Sequence, residues 1–219
     1  MYLYGYHTVK AALNNPARRI KQILITKPQD FSIKQARQVE SKYLDKLVGQ
    51  VNHQGIAAEV DPLPMGHIET VGRHVLILDQ ITDPQNLGAI VRSAATFGFQ
   101  DIILRDYEQL INSPVVARIA SGGVEFIRFV GVTNISRAID SLKEQEFWIY
   151  GLDEKGKQSI RQCSFTPKTA LVLGSEGYGL RALTQKQCDT LLHIPSSDKF
   201  CVLNASHAAS VAMYEVFTH

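Results

Sequence analysis

Three short runs in this 219-residue chain carry side chains that could do chemistry. The first is Asp83-Pro-Gln-Asn-Leu-Gly-Ala-Ile-Val-Arg92, where Gln85, Gly88 and Arg92 recur at three- and four-residue spacing and so share one face of a helix. Arginine is permanently charged and offers a planar fork of donors suited to phosphate. Gly88, one turn earlier, removes a side chain beside the guanidinium and could leave room for a phosphate or a sugar. The alternative is a surface arginine next to a glycine needed for tight packing. The second run, Gly174-Ser-Glu-Gly-Tyr-Gly179, surrounds one acid with three glycines, which lets backbone amides approach a ligand and permits positive φ. The third runs from His193-Ile-Pro through Leu203-Asn-Ala-Ser206 into a stretch of small residues. Asn204 or Ser206 could cap that helix and aim free amides at a ligand or a neighbouring loop.

Other constellations carry less. Gly177-Tyr-Gly-Leu-Arg-Ala182 has the loose form of a dinucleotide fingerprint, with Asp198 following, but too little chain remains for the further strands such a unit needs; a plain turn is the alternative. Ser206 and His207 would point about 100° apart on a helix, which argues against a nucleophile and its base. The remaining histidines, from His7 to His219, and the cysteines Cys163, Cys188 and Cys201 show no metal-ligand spacing and no disulfide framework. Arg18, Arg19 and Lys21 could meet RNA phosphates or form a solvated basic face.

These runs need elements to hold them. Asp83 suits an N-cap, Pro84 the first helical position and Gly98 the C-terminal stop of a helix whose buried stripe is Leu87, Ile90, Val91 and Ala94. Short aliphatic runs at Val75 to Asp79, Asp101 to Leu104, Phe126 to Val130, Phe147 to Tyr150, Ala170 to Leu173 and Leu191 to Ile194 alternate with helical segments, a rhythm that predicts a mostly parallel sheet. Ligands in such sheets bind beyond the carboxyl ends of strands, which points to the loops after Leu78, Leu173 and Ile194. Trp148, inside an apolar run, is expected in the core. Upstream, Thr8 to Leu13 reads as a helix, Ile20 to Ile25 as a strand, Ser32 to about Leu47 as a polar helix and Ile56 to Val60 as a strand. The two prolines of Asp61-Pro-Leu-Pro-Met-Gly66 mark a linker, placing a boundary near residue 70: a small domain over 1–70 and a larger one over 71–219.

Composition sets outer limits. The chain is 45% hydrophobic and 20% charged with a net charge of +2, which permits nucleic-acid binding without demanding it. The basic excess lies at the N-terminal end. No secretory leader or membrane-spanning run is read from the sequence, so a cytoplasmic protein is expected, with no membrane partner.

Taken together, Asn86-x-Gly88-x-x-x-Arg92, Gly174-Ser-Glu-Gly-x-Gly179, and Ile194-Pro followed by Leu203-Asn204-x-Ser206 resemble the three ordered motifs of the SpoU, or TrmH-type, RNA 2′-O-methyltransferases of the SPOUT superfamily. Gly5-Tyr-His-Thr-Val-Lys-Ala-Ala-Leu13, His53-Gln-Gly55 and Ala120-Ser-Gly-Gly123 resemble further elements of the subgroup that methylates a guanosine ribose of 23S ribosomal RNA. The resemblance implies an α/β fold with a trefoil knot and a small N-terminal α/β substrate-binding domain. It implies S-adenosylmethionine as methyl donor with no metal, RNA as substrate (ribosomal over transfer RNA) and a homodimer. Carried onto this chain, the catalytic positions are Arg92, Asn86, Glu176 and Ser206, and the cofactor-binding ones Gly174, Ile194, Leu203 and Asn204. Arg92 would organise phosphate and the developing oxyanion; Glu176 would orient Arg92 or accept the proton; Ser206 would support the 2′-oxygen. The chain departs from the family pattern at Ser196, Asp198, Val202 and His207. A transfer-RNA methyltransferase, a non-catalytic RNA-binding or ribosome-assembly protein, and a dinucleotide enzyme resting on Gly177-x-Gly179 are the competing expectations.

Overall fold

The structure, a computed structural model, describes residues 1–27, 36–105, 108–197 and 203–219. The chain opens with β1 (Tyr2–Tyr4), α1 (Tyr6–Asn14), β2 (Ile20–Ile25), β3 (Ala36–Gln38), α2 (Ser41–Val48) and β4 (Ile56–Val60). Their sheet has the order β1-β4-β2-β3, with β4 antiparallel to β1 and β2, and β3 parallel to β2. The polar helix expected from Ser32 is corrected here: Ala36–Gln38 pairs with Ile23, Leu24 and Ile25 as an edge strand, and the helix begins only at Ser41. The open edge of β2 offers backbone partners that outweigh a weak helical pattern; residues 32–35 lie outside the described residues.

Next come β5 (His74–Leu78), α3 (Pro84–Thr96), β6 (Asp101–Leu104), α4 (Glu108–Ile111), α5 (Pro114–Ile119), β7 (Arg128–Gly131) and α6 (Ile135–Glu144). The chain ends with β8 (Trp148–Leu152), β9 (Gln158–Ser159), β10 (Thr169–Leu173), α7 (Ala182–Gln187), β11 (Thr190–His193) and α8 (Ala205–Thr218). These strands form one sheet, β7-β6-β5-β10-β8-β11-β9, parallel at every pairing. Every residue of β10 is buried, as continuous apolar runs in a parallel sheet covered on both faces require. Alternate residues serve opposite faces. Leu76, Leu78, Leu171 and Leu173 pack towards α3, α5 and α8, whereas Val75, Ile77, Ala170 and Val172 pack towards Ile135, Ile139 and Leu142 of α6. Trp148 stands at the start of β8, nearly half exposed, its indole N–H donating to Thr190 Oγ1 at 3.0 Å, so the expected core tryptophan lies at the surface.

The small sheet is not separate from the large one. Leu3, Val9, Ile23 and Ile56 belong to the same apolar cluster as Leu76 and Leu171. Arg18, expected at an RNA backbone or on a solvated face, is buried instead, paired with Glu125 at 2.8 Å, which also accepts from Asn15 at 2.7 Å. The proline-rich stretch after β4 has no regular structure, yet Leu63 and Met65 rest on the core and the Gly66 amide donates to the Phe129 carbonyl at 2.9 Å. Among the described residues, no helix is long and apolar enough to cross a membrane.

Candidate active site

α3 is built as its sequence specifies. Asp83 caps it, its carboxylate accepting from the Gln85 amide at 3.0 Å, Pro84 occupies the first turn, and the stripe of Leu87, Ile90, Val91 and Ala94 is buried. The chain leaves through Gly98 at φ +76°. Gly88 turns out to serve packing. A Cβ there would meet the Ile119 Cβ of α5 at 2.7 Å, so the glycine admits a crossing helix and leaves no room for a substrate group. Asn86 is buried near the N-terminus of α3, whereas Arg92 is exposed six residues further along, a rise of about 9 Å.

The segment after β10 folds back on itself. Ser175 and Gly179 exchange backbone hydrogen bonds of 3.1 and 2.9 Å, with Gly177 and Gly179 at φ +88° and +65°, a conformation natural to glycine. A Cβ on Gly174 would fall 2.0 Å from the Gly179 carbonyl carbon. This return is unlike the dinucleotide fingerprint, whose glycines open directly into a long helix; α7 has six residues. Arg181 clamps the loop to the end of β5, its Nε donating to Asp79 Oδ2 at 3.1 Å and its Nη2 lying 2.6 Å from Oδ1. Thr184 Oγ1 adds a bond of 2.7 Å to the same carboxylate. Sequence reasoning passed over Asp79, Arg181 and Thr184. The available signal was an acid closing a buried strand, which must find a partner.

Ile194 follows β11 and packs half-buried against the main core. Asp198, Cys201 and Val202 lie outside the described residues; Ser196 and His207 are exposed. Of the two candidate caps for α8, Asn204 takes the role: its Oδ1 accepts from the Ser206 amide at 2.8 Å and from Ser206 Oγ at 2.6 Å. Its Nδ2 donates to Glu176 Oε1 at 2.6 Å, while Asn86 Nδ2 donates to Glu176 Oε2 at 3.0 Å. Asn86, Glu176, Asn204 and Ser206 thus form one hydrogen-bonded chain drawn from three motifs far apart in sequence.

That chain borders a cavity of about 640 Å³ at the carboxyl edge of the sheet, where β10 inserts between β5 and β8. Leu173, Leu191, Leu203 and Ala208 give it apolar walls, Asp153, Glu154 and Glu176 give it acid, and Lys155 gives it one cation. Gly174 lies on its wall, and the Ser175 hydroxyl is buried without a hydrogen-bond partner. A ligand with an apolar body, cationic groups for the carboxylates and an anionic group for Lys155 matches this lining. Arg92 is elsewhere. It lines a second cavity of about 390 Å³ with His7, Ser121 and Phe126. Among the described residues, no group of three or more His, Cys, Asp or Glu is placed to hold a metal.

The chain matches the family model of the SpoU rRNA methylase family over residues 73–214 and that of the RNA 2′-O ribose methyltransferase substrate-binding domain over residues 2–66. It is 36% identical to an uncharacterised tRNA/rRNA methyltransferase of Synechocystis, with 98% of this chain covered, and spans 62% of that longer protein. It is 35% identical to the 23S rRNA (guanosine-2′-O-)-methyltransferase RlmB of Acinetobacter baylyi, over 98% of this chain and 95% of the relative. Its fold matches the SpoU methyltransferase AviRb of Streptomyces viridochromogenes with a TM-score of 0.84 and 21% identity, covering 100% of this chain and 88% of the other.

Proposed function

Because the chain belongs to the SpoU rRNA methylase family, we propose that it is an S-adenosylmethionine-dependent RNA ribose 2′-O-methyltransferase whose substrate is a guanosine of 23S ribosomal RNA. The carrying observation is the cavity lined by Glu176, whose carboxylate is held by Asn86 and Asn204. The Gly174 wall, whose tight backbone return tolerates no side chain, and the apolar leucines fit S-adenosylmethionine, and the carboxylates complement its cationic centres. When bound, that group supplies an activated methyl carried on a sulfonium. Gly174, Ile194, Leu203 and Asn204 are assigned to holding it.

The protein's own share is alignment and proton removal. Asn86 and Asn204 hold the Glu176 carboxylate from both sides, and each oxygen keeps a lone pair. In this proposal Glu176 takes the proton of the ribose 2′-hydroxyl, and Ser206 acts through Asn204, fixing the amide that orients Glu176. Arg92, which makes no ion pair among the described residues and stands outside the cavity, binds an RNA phosphate and so aligns the ribose for transfer. Residues 1–70 supply the RNA-holding domain, the C-terminal segment threads as a trefoil knot, and two copies pair through the outer face of α8. The working compartment is the cytoplasm.

The test is transfer of labelled methyl from S-adenosylmethionine into unmodified 23S ribosomal RNA and, in parallel, transfer RNA, with Arg92→Ala as control. Label mapped to a guanosine 2′-oxygen of 23S RNA, cofactor binding within twofold in Arg92→Ala and turnover at least about 100-fold lower in that variant are expected. Label in transfer RNA alone would reassign the substrate. Folded protein that takes up no cofactor in calorimetry would replace the enzyme with an RNA-binding protein.

A further inference from the structure

The second cavity lies where three elements meet, and its floor is a glycine turn wedged between two helices. Gly122 adopts φ +91°, and a Cβ on it would sit 2.5 Å from Ala11 Cβ and 3.0 Å from the His7 carbonyl of α1. A Cβ on Gly123 would sit 3.2 Å from Arg92 Cα of α3. Ser121 precedes them at φ 50°. Both helices are thereby held against the turn, and the cleft between them opens to solvent with Arg92, His7 and Phe126 on its walls. Phe126 is 66% exposed, an apolar ring that the protein's own packing does not cover. The nearby acid is already committed, since Glu125 is buried and paired with Arg18 and Asn15.

An arginine with no ion pair among the described residues, beside an exposed aromatic ring, matches one ligand chemistry closely. Phosphate takes the guanidinium, and a nucleobase takes the ring face, an interaction available to every base. We propose that this cleft is a nucleotide subsite that holds an unpaired RNA nucleotide flanking the methylated one, with its base stacked on Phe126 and its phosphate on Arg92. The inference rests on the methyltransferase reading above and adds the residue that grips the neighbouring base. Phe126 and the His7 side chain belong to the two sequence units on either side of the turn, so the subsite exists only when those units are docked as seen here.

The experiment is filter binding of an unmodified 23S ribosomal RNA transcript at fixed salt by the full chain and by Phe126→Ala and Phe126→Trp, with calorimetry of S-adenosylmethionine and thermal melting on the same samples. Phe126→Ala should bind RNA at least about fivefold more weakly, the lower end of one base–aromatic stack. Phe126→Trp should bind like the parent, and cofactor affinity and melting temperature should not move. A parent that methylates RNA while Phe126→Ala binds it within twofold of the parent overturns the subsite and leaves the enzyme standing. A parent that neither binds nor methylates RNA overturns both.

Discussion

Gly174 has no space for even a methyl group, because the backbone of Gly179 returns within 2.0 Å of where that group would lie. Backbone cannot yield as a side-chain tip can, so Gly174→Ala should push the loop off the cavity wall. S-adenosylmethionine affinity is expected to fall at least about tenfold, with about 1–3 kcal/mol of stability lost to overpacking, measured by calorimetry and urea denaturation. The need for glycine was legible in sequence; the partner was not. Glu176 teaches the same lesson, since its bonds go to Asn86, 90 positions away, and to Asn204, 28 away, not to Arg92. Cys188 offers an independent check. Burial pushes its thiol up to about 12, and its Sγ donates to the Thr184 carbonyl at 3.2 Å. At pH 8 the thiolate fraction is therefore about one in ten thousand. Iodoacetamide should leave Cys188 unlabelled in the folded protein and label it after urea, as read by peptide mass mapping.

Among the elements, α3 was readable from end to end because its signals are local: a cap, a proline, a 3.6-residue stripe and a terminal glycine. β3 was not, because an alanine and two polar residues become a strand only where a neighbouring edge is open. The docking of α1 and its following turn was equally hidden. Arg18 looked like a free cation, yet its side chain is 3% exposed and faces Glu125 at 2%, with a further bond from Nη1 to the Asp61 carbonyl at 2.8 Å. Arg18→Ala should cost about 3–5 kcal/mol in urea denaturation, because Glu125 keeps its buried charge with only Asn15 to answer it. Replacing both partners, Arg18→Met with Glu125→Leu, should recover much of that loss. Equal destabilisation by the single and double variants would mean that packing, not the charge, carries the contact.

At the level of the whole molecule, α8 has one face in the core and one that stays largely exposed among the described residues. Ala209, Ala212 and Met213 are fully buried, whereas Val211, Tyr214 and Phe217 recur on the outer side with Tyr214 52% and Phe217 60% exposed. Phe97 extends the patch from α3, its ring 5.7 Å from Tyr214 and 5.9 Å from Phe217. A contiguous apolar patch of this kind on a helix face is the expected mark of an interface, and the proposed homodimer would cover it. Sedimentation should show a dimer for the parent and a monomer for Tyr214→Glu with Phe217→Glu. A parent that sediments as a monomer at micromolar concentration would remove the α8 pairing.

What the sequence determined by itself was local and periodic: the parallel α/β rhythm, the capped helix, the glycine-rich turn, and three ordered motifs that place the chain in its family. These are legible because helices and strands declare themselves over a few residues, through spacing, caps and turn chemistry. Only the tertiary structure decided that β10 inserts between β5 and β8, that Asp79 latches the Gly174 loop through Arg181, and that Gly88 receives a helix rather than a substrate. It also separated Arg92 from Glu176 and set it beside Phe126. Those outcomes depend on which distant segments share a sheet edge or a helix crossing, and a buried polar group or a missing side chain names the need for a neighbour without naming the neighbour.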